Sequence, residues 1–110
     1  MTIKKAVLTE IEFKDKIFDF GEVQEDSLLI HRYYFKNVGN EKLIIDYVNP
    51  DCTCTGFTLS NDTIMPMDSA YVELKYDTKD RYGKQKLFAT MKANTETKMY
   101  AIILKANVID

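Results

Sequence analysis

Residues 28–37 read LLIHRYYFKN, and their apolar spacing decides how the whole chain is read. Side chains alternate between faces along an extended chain. Leu29, His31, Tyr33 and Phe35 therefore share one side, and Ile30, Arg32, Tyr34 and Lys36 the other. That alternation predicts a half-buried strand with Phe35 in the core and His31 on the inward face.

Working outward, the same period of two recurs at 6–13 (AVLTEIEF), 17–23 (IFDFGEV), 43–48 (LIIDYV), 70–77 (AYVELKYD), 86–92 (KLFATMK) and 99–109 (MYAIILKANVI). These segments are rich in Ile, Val, Tyr and Phe, which suit a pleated surface. Turn signals separate them: Gly21, NVGNEK with Gly39, NPD with Pro50, SNDT, MPMDS with Pro66, and DRYGK with Gly83. All four glycines and both prolines are expected in or beside turns. About seven short strands without an amphipathic helical pattern indicate an all-β fold, an antiparallel β-sandwich of immunoglobulin-like type, with a closed barrel as the competing architecture. The final segment, long and apolar, is expected at an exposed sheet edge where it can pair with a partner strand, Lys105 blunting self-association.

With 110 residues the chain fits one domain, 1–110, large enough for a core without staples. Fifteen basic residues against 17 acidic ones, alternating in sign, leave no basic face for nucleic acid. No stretch reaches the roughly 18 apolar residues of a membrane span, so no membrane insertion is expected. The opening MTIKKAVLTEIEFKD lacks the apolar region of a signal peptide and carries no export address as written. A mature form without its leader would read the same way.

An ordered set of motifs then coincides with a family. FDFGEV (18–23), HRYYFKNVG (31–39), DCTCT (51–55), MPMDSAYVELKYD (65–77) and YGKQKLFATMKAN (82–94) together resemble the bacterial domain-of-unknown-function family 1573. That family is abundant in Bacteroidetes, immunoglobulin-like, and similar to ASH, MSP and Hydin-type domains. The resemblance covers about residues 13–108. Phe18, Phe20 and Gly21 match its Phe-x-Phe-Gly, and Tyr33, Phe35, Asn37 and Gly39 its Phe-x-Phe-x-Asn-x-Gly. Cys52, Cys54 and Thr55 match its Cys-Gly-Cys-Thr, and Asn94 the Asn closing the late strand. Thr53 replaces the glycine between the cysteines, Met67 stands where Pro-Gly is usual, and Ala106 replaces a glycine. The resemblance implies an exported, periplasmic, cell-surface or lipoprotein-derived setting in the cell envelope and no shared biochemical activity.

Cys52 and Cys54 are the residue pair whose chemistry must be decided. In an extended strand their Cα atoms would lie roughly 6.6 Å apart, near the upper limit for a disulfide, and a strained bridge is easily reduced. Two thiolates and one histidine fall short of the four ligands of structural zinc, although two sulfurs can hold Cu(I). The plainer reading is structural: two small side chains at a strand end near the surface, or a disulfide in an exported domain. A Cys-His nucleophile would require His31 to reach Cys52 or Cys54, and the flanking Asp46 and Asp51 would raise a thiol pKa. His31 itself reads as a half-buried histidine with one ring nitrogen satisfied by a neighbour. Asp62, Asp77 and Asp80 lack calcium-loop spacing and read as solvated turn carboxylates. Asn61-Asp62-Thr63 is a glycosylation sequon that matters only in a eukaryotic secretory setting. The sequence, with the resemblance, thus implies a non-enzymatic binding or structural module of the cell envelope without cofactor or metal, any protein partner being bound through loops or an edge strand and not in a pocket. A redox or soft-metal domain built on Cys52 and Cys54 is the alternative.

Overall fold

The computed structural model describes residues 7–52 and 55–110. Among these residues nine strands run in chain order: β1 (Ile11–Phe13), β2 (Ile17–Gln24), β3 (Leu28–Asn37), β4 (Leu43–Pro50), β5 (Thr55–Leu59), β6 (Thr63–Ile64), β7 (Ser69–Asp77), β8 (Gly83–Ala93) and β9 (Met99–Ile109). They form two sheets, ordered β1-β3-β7-β5 and β2-β9-β8-β4-β6. The expected immunoglobulin-like sandwich is what the chain builds.

Alternation in β3 falls where the sequence places it. Leu29, Tyr33 and Phe35 are buried, Ile30, Arg32 and Tyr34 are exposed, and His31 is half-buried. Antiparallel pairing sets Tyr33 against Val72 and Phe35 against Ala70, so the inward residues of β3 and β7 form one continuous apolar surface. From the opposite sheet Leu43, Met91, Ile102 and Leu104 complete the core, each at 0% exposure. The Tyr33 hydroxyl crosses the sandwich and donates to the Ile103 carbonyl at 2.7 Å. That bond satisfies the one polar atom of a ring otherwise buried among apolar side chains.

Several expectations are corrected. Pairing is not wholly antiparallel, because β2 runs parallel to β9. After β1 the chain changes sheets through residues 14–16 and reaches β9 from the side, which sets the direction of β2. The final segment is not an edge: β9 is paired with β2 on one side and β8 on the other, so it has no open ladder for a partner strand. In the 6–13 segment only residues 11–13 form a strand, and residue 6 lies outside the described residues. Asn49 and Pro50 continue β4 and do not turn; the bend follows at residues 51–52. Gly56 lies inside a strand, β5. Gly21 is also within a strand, where β2 slips register between Asp19 and Glu22. Its φ of +73° requires glycine, and the Asp19 carboxylate accepts its N–H at 2.8 Å.

Candidate functional site

Four groups of residues could carry function, and their geometry separates closure from display. Cys52 lies in the link where the chain leaves β4 for β5. It packs against the core and is disulfide-bonded, and its carbonyl accepts the Thr55 N–H at 3.1 Å. Thr53 and Cys54 lie outside the described residues, as does the expectation about the turn they make. A disulfide-bonded sulfur is neither a nucleophile nor a soft-metal ligand until it is reduced.

His31 stands on the other flank. Its ring stacks on Phe18 of β2 at 3.9 Å between centroids and 11° between planes, and meets Tyr33 edge-on at 4.6 Å. Its Nε2 lies 3.0 Å from the Asp15 Oδ2, in the segment that switches sheets. The expectation of one satisfied ring nitrogen therefore holds. β7 stands between β3, which carries His31, and β5, which follows Cys52 in the chain, and a disulfide-bonded Cys52 offers no thiolate for a Cys-His pair. The nearby Tyr33 hydroxyl is held far above its ordinary pKa, first by burial and then by the Asp15 charge, and it donates to a carbonyl. This cluster contains no activated nucleophile.

One end of the sandwich is organised by two asparagines. Asn37 is fully buried, and its Oδ1 accepts from the Thr9 hydroxyl at 2.8 Å and the Gly39 N–H at 3.1 Å. Its Nδ2 donates to the carbonyls of Glu41 and Ile64 at 2.7 and 2.9 Å. All four hydrogen-bonding positions of the amide are used. Gly39 packs so closely on the N-terminal segment that a Cβ there would collide with the Thr9 hydroxyl and the Glu10 amide nitrogen. Asn94 repeats the pattern: its Oδ1 accepts from the Ile44 N–H at 2.6 Å, and its Nδ2 donates to Val7 and Lys42 carbonyls at 3.0 and 2.8 Å.

The fourth group faces solvent on the outer side of the β1-β3-β7-β5 sheet. Arg32 lies opposite Glu73, and Tyr34 opposite Tyr71. The Arg32 Nε donates to the Glu73 Oε2 at 2.9 Å, and the guanidinium sits 4.4 Å from the Tyr71 ring centroid. Tyr34 and Tyr71 are 5.5 Å apart, and the Lys75 Nζ lies 3.6 Å from the second Glu73 oxygen. The hydrogen bond to Arg32 holds the Glu73 carboxyl below its usual range. The result is a contiguous aromatic and arginine patch tied together by Glu73.

The family model described as Protein of unknown function (DUF1573) matches residues 11–108. The chain belongs to that family. The domain superposes on a crystal structure of a protein of unknown function from Porphyromonas gingivalis W83 with a TM-score of 0.82 and 15% identity, over 96% of this chain and 49% of that one. It therefore spans about half the length of that protein. The secreted serine protease VesC from Vibrio cholerae matches at TM-score 0.68 and 16% identity, over 91% of this chain and 23% of that one. The ASH/PapD-like domain 7 of human CEP192 matches at 0.66 and 13%, covering 100% of this chain and 97% of that domain. At such identities the likeness is one of fold. No curated protein matches the chain.

Within the DUF1573 domain, the motif residues Phe18, Phe20, Gly21, Asn37, Gly39 and Asn94 serve closure and bulges. Met67, where the family pattern has Pro-Gly, takes φ +73° and donates its N–H to the Asn37 carbonyl at 2.8 Å. The outer-face patch escaped the sequence reading, because it depends on the β3–β7 register. Arg32 and Tyr34 were readable as outward residues of one strand, but their partners sit 41 and 37 positions downstream. Among the described residues no helix is long and apolar enough to cross a membrane, and no group of three or more His, Cys, Asp or Glu side chains is placed to hold a metal.

Proposed function

We propose that this DUF1573 domain is a non-catalytic protein-binding module of the bacterial cell envelope, and that it docks through the outer face of the β1-β3-β7-β5 sheet. The observation that carries this reading is the Arg32–Tyr71–Tyr34 patch, fixed in place by Glu73. Tyrosine and arginine are the residues most enriched at binding hot spots, and side chains ordered beforehand lose less entropy on association. The groups that suggested chemistry are otherwise engaged: His31 is stacked on Phe18 and bonded to Asp15, and the Cys52 sulfur is held in a disulfide. An envelope location is supported by that disulfide, since disulfides persist in oxidising compartments. The secreted status of the Vibrio protein that carries a similar fold points the same way. The redox or soft-metal reading would need reduction of a sulfur that packs against the core.

The test places a photo-crosslinking residue at Tyr34, and separately at Phe88 on the outer face of the other sheet, in the full gene product expressed in its native host. The expected result is a discrete adduct in the envelope fraction from position 34, lost in the Arg32→Ala, Tyr71→Ala background, with none from position 88. Adducts from both positions alike, or only from 88, would reject this face as the docking surface.

A further inference from the structure

A groove of about 770 Å³ opens at the asparagine-latched end, between the N-terminal segment at residues 7–8, the start of β4 and the end of β8. Val7, Leu8 and Ile44 give it an apolar lining, and these three are 60%, 47% and 49% exposed. Lys42, Lys92 and Lys98 stand around it, against two carboxylates, Glu41 and Asp46. Lys92 is paired with Asp46 at 3.5 Å. Among the described residues neither Lys42 nor Lys98 has a carboxylate within ion-pair distance.

Backbone recognition in this groove is largely foreclosed. Asn94 takes the Ile44 N–H and the Val7 and Lys42 carbonyls with its side chain, and its own N–H goes to the Ile44 carbonyl at 3.2 Å. A partner strand would find these main-chain groups already paired. What remains for a ligand is apolar contact and unneutralised ammonium charge. A second hollow, of about 690 Å³, lies across the same N-terminal segment and is bordered by Glu10, Glu41 and Glu96 with no lysine. The two hollows thus differ in sign, and only the first combines cations with an apolar lining.

We infer that this groove is a binding site for an amphipathic organic anion, an aliphatic chain lying on Val7, Leu8 and Ile44 with its carboxylate between Lys42 and Lys98. The volume falls within the roughly 300–1,000 Å³ of small-ligand sites. The lysine stems extend the apolar wall while their ammonium heads reach the carboxylate. This site is independent of the protein-docking face, which lies on the other sheet.

Calorimetric titration with decanoate below its micelle concentration, with decanol and decyltrimethylammonium as length-matched controls, tests the inference. Saturable binding of one decanoate per domain is expected, with amide shift changes centred on Ile44 and Lys92. Lys42→Glu with Lys98→Glu should weaken it at least tenfold while the domain stays folded, and Ile44→Asp should abolish it. The site is overturned by absence of saturable binding, by shift changes centred elsewhere, by equal binding of either control, or by unchanged affinity in the double lysine variant.

Discussion

The two flanks of the sandwich are closed in different ways. On the β1–β2 flank the chain changes sheets, and Phe18, His31 and Tyr33 interlock across the gap with Asp15 anchoring the ring nitrogen, while Phe13 packs on Phe35 and Tyr100. On the β4–β5 flank the crossing is a bend at Cys52 followed by a five-residue edge strand. There Phe57, paired in register with buried Leu74, remains 44% exposed on the edge strand. The comparison teaches that a histidine and carboxylate pair can serve as a packing wedge. On the opposite flank Cys52 packs against the core beside a short edge strand, where aromatic packing is thin.

The comparison can be broken by substitution. Phe35→Ala, which empties the shared core, should cost about 3–5 kcal/mol in chemical denaturation; a loss under about 1 kcal/mol would mean that the β3 register is wrong. Asn37→Ala orphans several buried partners and should cost about 2–4 kcal/mol, and native-state hydrogen exchange should show an accelerated Gly39 amide, which loses its acceptor. Phe18→Ala should cost about 2 kcal/mol and Phe57→Ala under about 1; equal losses would erase the distinction between the flanks. Met67→Gly should stabilise by up to about 1 kcal/mol through relief of the left-handed backbone, read as a higher denaturation midpoint. Glu73 supplies the pH arm. Its carboxyl titrates below the ordinary range when folded, so its stabilisation is present above about pH 4.5 and is lost as pH falls through the folded value. Glu73→Gln should therefore flatten the acid limb of the stability curve while leaving the neutral region similar in shape.

Much of the fold was legible because period-two spacing is a local property, and β3, β7, β8 and β9 are long enough to display it. β5 was missed because Gly56 interrupts TGFTL with a turn signal, and β6 because two residues carry no period. The direction of β2 and the central place of β9 depend on which strands meet, and nothing in MYAIILKANVI distinguishes a central strand from an edge. Of the candidate sites, the half-burial of His31 was readable from alternation, but its stacking on Phe18 was not, since 13 residues and a change of sheet separate them. Asn37 carried a family motif without revealing that its side chain joins Thr9, Gly39, Glu41 and Ile64.

The central claim is that His31 closes the fold while Arg32, its neighbour in sequence, belongs to the proposed docking face. Paired measurement of unfolding free energy and of adduct yield from a crosslinker at position 34, in His31→Ala and in Arg32→Ala, tests it directly. The account predicts that His31→Ala loses about 1–3 kcal/mol and keeps the adduct, whereas Arg32→Ala, which gives up the Glu73 pairing and the Tyr71 ring contact, loses less stability than His31→Ala and loses the adduct. A His31→Ala domain of unchanged stability that no longer crosslinks would contradict it.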